Sequence, residues 1–180
     1  MKILGINGTV FGSKTKIALE ALEFNSKVEY EIIDLANYTD LPFADGRVLL
    51  DYDLKTQELI NKISDADGLV IGTPIFQASI PGALKNLFDL MPQDTLINKT
   101  VGIVAAAGSE KHYLVPEQML LPILNYMKAN VINKYVYITP LSYDGNKIND
   151  DGISLRLEAL SKRMIDTITY QKSIKPEFDF

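Results

Sequence analysis

The stretch that most constrains this chain is Gly68–Asp89, G-L-V-I-G-T-P-I-F-Q-A-S-I-P-G-A-L-K-N-L-F-D. Gly68-Leu69-Val70-Ile71 is a short apolar run of the kind that makes a strand buried on both faces. Leu84, Leu87, Phe88 and Met91 then fall at i, i+3, i+4 and i+7, one apolar stripe of a helix. Ser79 is placed to cap that helix, and Pro81 is tolerated in its first turn, where an N–H lacks an intrahelical partner anyway. Between strand and helix, Pro74 fixes the backbone of Gly72–Ala78, and Phe76 and Gln77 point into whatever lies above the sheet. Ligands of open α/β sheets bind at such loops, beyond the carboxyl ends of the strands. One aromatic and one amide suit a flat, heteroatom-rich ring better than a phosphate.

The rest of the chain repeats the pattern. Strands are expected at Lys2–Ile6, Val28–Asp34, Gly68–Ile71, Thr100–Ala106 and Lys134–Ile138. Helices are expected at Lys14–Phe24 (buried through Ile17, Ala18, Ala21 and Leu22), Thr56–Ser64, Pro81–Met91, Pro116–Ala129 and about Asp151–Tyr170. Leu35–Asp53 reads as a long loop, and Ser173–Phe180 as a polar, mobile tail. Alternating elements predict a doubly wound parallel sheet with right-handed crossovers, in one domain spanning 1–180.

Composition removes several classes of function. With no cysteine there is no disulfide, thiolate nucleophile or Fe–S ligation, and the single His112 rules out a His-rich metal site. A net charge of −5 argues against nucleic-acid and anionic-membrane binding. No apolar run spans a membrane and no signal peptide opens the chain, so the expectation is a cytoplasmic protein. Asp65/Asp67 and Asp150/Asp151 read as loop and capping residues, and Lys85 and Asp89 as a local pair one turn apart.

Two further loops carry chemistry. Gly8–Thr15, G-T-V-F-G-S-K-T, leads straight into a helix: Thr9, Ser13 and Thr15 can donate to a phosphate and Lys14 can offset its charge. The same residues approach a P-loop, but Ser13 stands where its second glycine belongs, and the third strand ends without a metal-binding aspartate. A single phosphate group fits better than a triphosphate. Ala105–Ser109 offers backbone N–H groups and little bulk, equally suited to supporting a flat ring or to making a tight turn. His112 follows, more in keeping with a hydrogen-bonded structural residue than a catalytic one.

The run T-P-I-F-Q-A-S-I-P-G-A-L-K-N-L-F-D-L closely resembles the flavin loop of the NADPH-dependent FMN reductase family, nearest the branch serving alkanesulfonate monooxygenases. The resemblance extends from Met1 to about Tyr137. It implies a flavodoxin-like sheet of order 2-1-3-4-5, with FMN held by Thr9, Ser13, Lys14, Thr15, Pro74, Ile75, Phe76, Gln77, Ser79, Ala106, Ala107, Gly108 and Ser109. The family's phosphate loop has the form G-S-x-R, whereas Val10 or Phe11 stands at the arginine here. It also implies hydride transfer from NADPH or NADH to FMN, with the flavin itself carrying the chemistry. Electrons would pass to a second flavin, a monooxygenase, a quinone, an azo dye or a metal oxyanion. The protein would be a homodimer or homotetramer, with Lys85 and Asp89 near subunit contacts. A flavodoxin-like electron carrier without nicotinamide turnover is the alternative of the same fold; a degenerate P-loop enzyme is the more distant one.

Pro122, inside the fourth helix, has no N–H for the Gln118 carbonyl and presses on it, predicting a kink or π-type turn there. By resemblance, the related branch carries a π-helix at this place, at a subunit contact, together with exchangeable flavin. Its usual tyrosine is replaced here by Gln118.

Overall fold

Strands β1 (Lys2–Asn7), β3 (Gly68–Pro74) and β4 (Thr100–Ala106) are buried along almost their whole length, as strands covered on both faces must be. Edge strand β2 (Glu29–Asp34) instead carries exposed Glu29 and Glu31 between its more covered residues. These elements belong to a computed structural model that describes residues 1–174. All pairings in the main sheet are parallel, in the expected flavodoxin-like order β2-β1-β3-β4 and then the fifth position. That position is filled by two segments, β5 (Asn130–Val131) and β6 (Val136–Ile138), each parallel to β4. The single strand expected at Lys134–Ile138 is therefore shorter and has a separate forerunner. Exposed Asn133 and Lys134 lie in the step between them.

Alternate strand residues serve two cores. Leu69 and Ile71 pack under α2 (Leu54–Ser64), α3 (Gly82–Leu90) and α4 (Leu121–Tyr126). Val70 faces α1 (Lys14–Glu20) and α5 (Asp151–Ser173), the latter burying Ile153, Leu157, Leu160, Met164 and Ile168. Helix α1 ends at Glu20, not Phe24: the chain tightens as the Leu22 N–H donates to the Leu19 carbonyl, and Phe24 packs on the Tyr30 ring at 4.7 Å. Ala21 is exposed, and Leu19 takes the inward place expected of it. Asp53 and Asp150 cap α2 and α5 by accepting from the Thr56 and Ile153 N–H groups, and Asp67 accepts from the Lys2 N–H at 2.8 Å. A short hairpin, β7 (Tyr143–Asp144) with β8 (Lys147–Ile148), precedes α5. Ser173 closes α5, and the rest of the expected tail, from 175, lies outside the described residues.

The π-type turn is where proline sterics put it. Pro116–Leu120 is π-helical, and the Leu121 N–H reaches back five residues to the Pro116 carbonyl, with Pro122 in the first turn of α4. His112 sits in the preceding 3₁₀ turn, Glu110–His112.

Candidate functional site

The parallel register brings three loops to one edge. Asn7 of β1 lies level with Gly72 of β3, and β3 runs two residues further, to Pro74 beside Ala106. The β1 loop is anchored by the Gly8 N–H, which donates to the Gly72 carbonyl at 2.8 Å. A Cβ on Gly8 would lie 2.7 Å from that carbonyl oxygen and 2.8 Å from Leu84 Cδ2, so this approach requires glycine.

Beyond Gly8 the expected phosphate ligands divide. Thr9 is 2% exposed; its hydroxyl donates to the Phe11 carbonyl at 2.9 Å and accepts the Phe11 N–H, shaping the loop from within. Thr15 is buried, and its methyl packs toward Gly72. Ser13 and Lys14 are exposed; Ser13 starts α1 without a side-chain cap, leaving its hydroxyl uncommitted. Lys14 Nζ lies 5.0 Å from the Tyr143 ring centroid, and the Tyr143 hydroxyl donates to the Lys14 carbonyl, tying this loop to the β7–β8 hairpin. Burial pushes the Tyr143 phenol up to about 12.

The β3 loop is a tight reversal. The Phe76 and Ser79 N–H groups donate to each other's carbonyls at 3.0 and 2.9 Å. Gln77 and Ala78 between them have φ of 48° and 57°, a primed turn built without glycine. A non-glycine residue at positive φ costs about 1 kcal/mol or more, and such strain is concentrated at binding sites. The turn lifts Phe76, 48% exposed, above the strand ends. Ser79 is used in this turn and does not cap α3: extended Pro81 holds the N-cap, so the helix begins later than the sequence suggested. Pro74 and Ile75 lie below, the Ile75 N–H donating to the Ala106 carbonyl at 3.0 Å.

In the third loop Ala106 and Ala107 are buried, and the Ala107 N–H donates to the Ile138 carbonyl. Gly108 is exposed, with open space where a Cβ would go. The Ser109 carbonyl accepts from the Tyr137 hydroxyl at 2.6 Å.

Sequence reasoning missed two supports. Asn7, 2% exposed, donates to Asp34 Oδ1 at 2.8 Å, and Lys16 Nζ lies 3.1 Å from Asp34 Oδ2. Burial raises the Asp34 carboxyl, but hydrogen bonds from Asn7 and the Ala36 N–H, with the Lys16 ammonium, outweigh it and hold it below its ordinary value. The Asn7 Oδ1 is buried without a partner among the described residues, an acceptor left over at the foot of the β1 loop. Asn86, read as a helix residue, clamps the β2–α2 connection to α3: its Nδ2 donates to the Pro42 carbonyl and its Oδ1 accepts the Ala44 N–H, both at 2.9 Å. Polar residues at strand ends signal such networks only once strand neighbours are known. Lys85 and Asp89 pair as expected, at 2.5 Å.

Residues 1–142 match the family described as NADPH-dependent FMN reductase. The chain belongs to that family. It is 41% identical over 171 residues to an NAD(P)H-dependent FAD/FMN reductase of Geobacillus thermodenitrificans, covering 92% of each chain. It is 27% identical over 169 residues to an NADH-dependent FMN reductase, SfnF, of Pseudomonas fluorescens, covering 91% of this chain and 89% of that one. An oxidoreductase structure from Corynebacterium diphtheriae superposes with a TM-score of 0.74 at 24% identity, over 94% of this chain and 98% of that one, which speaks for the fold. As an NAD(P)H-dependent FMN reductase, the protein is an oxidoreductase whose cofactors are FMN and NAD(P)H. Among the described residues no helix is long and apolar enough to cross a membrane.

Proposed function

We propose that FMN lies across the three loops, exchanges with solvent, and leaves reduced for a second flavin-dependent enzyme, in a homo-oligomer joined through the π-helical segment. The observation that carries the site is the strained Phe76–Ser79 turn at the carboxyl edge, which presents a half-exposed aromatic side chain. The residues fit the group. Ser13 and Lys14 face outward for the phosphate, and Thr9 and Thr15 set the loop that carries them. Asn7 Oδ1 is an unsatisfied acceptor of the kind a hydroxylated side chain satisfies. Phe76 and Gln77 border the ring with Pro74, Ile75 and Ser79 behind them, and Ala106–Ser109 gives it a surface of little bulk.

Bound FMN supplies the hydride-accepting centre; the protein's work is to hold it, donate hydrogen bonds to it and leave one face open. Exchange and oligomerisation are supported by the π-helical turn, whose neighbourhood exposes Leu114, Met119 and Tyr126. Transfer to a monooxygenase rests on the resemblance in the β3 loop, which favours a substrate flavin over a carrier's. Dialysis of FMN-loaded protein, with sedimentation to give the oligomer, tests this reading: flavin is expected to leave an oligomeric apoprotein. Stoichiometric FMN surviving long dialysis, or a monomer, would contradict it.

A further inference from the structure

The protein carries an excess of acidic groups, yet one cavity is basic. About 530 Å³ in volume, it lies along the outer edge of the fifth strand position and is lined by Tyr113, Lys134, Tyr135, Tyr137, Arg156 and Arg163, with Glu117 at one side. The chain has three arginines, and two of them meet here. Arg156, Arg163 and Lys134 are exposed and have no ion-pair partner among the described residues. Exposed, unpaired cations lining the same cavity as aromatic rings are what an anion joined to a flat ring requires.

The tyrosines form a fixed wall. Tyr113 lies 5.3 Å from Tyr135 and 5.4 Å from Tyr137, centroid to centroid. The Tyr135 hydroxyl donates to the Tyr113 carbonyl and the Tyr137 hydroxyl to the Ser109 carbonyl, each at 2.6 Å. The second bond joins this cavity to the third loop of the flavin site. The β1 loop, by contrast, holds no arginine. Arg156 and Arg163 lie seven residues apart on α5, so about 10 Å separates them along the helix axis, with Arg156 nearer the loop edge.

We propose that this cavity receives the phosphoadenosine half of NADPH: adenine against Tyr113, the pyrophosphate at Arg156, and the 2′-phosphate at Arg163 and Lys134. Two cationic positions in line match a ligand with two anionic groups joined through a ribose. Glu117 orients it, because a carboxylate accepts from an exocyclic amine and repels a phosphate. Arg163 is then a specificity-determining residue, favouring NADPH over NADH. The inference rests on the FMN reductase reading, and its test separates the two.

Calorimetric titration with adenosine 2′,5′-bisphosphate reads the cavity without turnover. Wild type should bind it more tightly than inorganic phosphate, and Arg163→Ala should weaken it about tenfold or more, as for one hydrogen-bonded charge pair. In steady-state assays with added FMN, Arg163→Ala should lower the ratio of kcat/KM for NADPH over NADH about tenfold, whereas Arg156→Ala should lower kcat/KM for both. Arg163→Lys should recover part of the ratio. Bisphosphate binding no tighter than phosphate, or unchanged in both alanine variants, would overturn the proposal. Failure of wild type to oxidise either nicotinamide would instead count against the FMN reductase reading, and the titration would still decide the cavity.

Discussion

In the β1 loop the positive-φ position is Gly12, which adopts it freely; in the β3 loop two non-glycine residues, Gln77 and Ala78, are held there. The β1 loop turns Thr9 and Thr15 inward and leaves Ser13 and Lys14 outside, so its outward polar side chains are few. The β3 loop closes on itself through paired backbone hydrogen bonds of its own. The difference teaches a division of labour. In the proposed site a phosphate would be gripped by groups that settle around a charge, and a flat ring would meet a surface set in advance.

The largest effect should come from the anchor that both loops share. Gly8→Ala drives a Cβ into the Gly72 carbonyl and Leu84, and should cost about 1–3 kcal/mol in chemical denaturation, as other overpacked sites do. Gly108→Ala meets open space and should leave stability within about 0.5 kcal/mol. Equal losses would mean that the strand edge is not close-packed as described.

Next comes the preset turn. Ala78→Gly relieves a positive-φ strain and should stabilise the protein by about 0.5–1 kcal/mol while weakening flavin binding, because the turn no longer holds its shape unaided. Lys128→Gly, at φ 58° and far from the loops in sequence, should give a similar gain with flavin binding intact. If both variants bind flavin like wild type, the β3 strain has no role in the site.

The smallest effect concerns Asp34, which supports the β1 strand end. Its folded-state pKa is depressed, so its contribution is present above the unfolded aspartate value of about 3.9 and is lost as pH falls through the lower folded value. Asp34→Asn should therefore flatten the acid limb of the stability profile below about pH 4 and leave the shape near neutrality unchanged. An acid limb identical to wild type would remove Asp34 from the support.

The fold was legible because buried parallel strands and stripe-forming helices announce themselves by period, and the π turn because Pro122 cannot donate to Gln118. Boundaries were less legible. Ser79 has the chemistry of a cap, but its backbone is committed to Phe76, and only three-dimensional pairing reveals that. Ala21 fits a helical stripe, yet α1 ends before it. In the candidate site, Ser13 and Phe76 are exposed, as a ligand-binding role requires, whereas the inward turn of Thr9 depends on a loop geometry that no spacing encodes. Asn7 and Asp34 were invisible because they meet only across paired strands, 27 positions apart.

The central claim is that the β1 loop holds the FMN phosphate while the β3 loop holds the ring, and paired absorption titrations with FMN and riboflavin test it most directly. Ser13→Ala should weaken FMN by about 1.5–3 kcal/mol, the worth of a hydrogen bond to a charged group, and leave riboflavin, which lacks the phosphate, almost unchanged. Phe76→Ala should weaken both ligands while circular dichroism shows the fold retained. Equal losses of FMN and riboflavin in Ser13→Ala, or unchanged titrations in Phe76→Ala, would contradict the account.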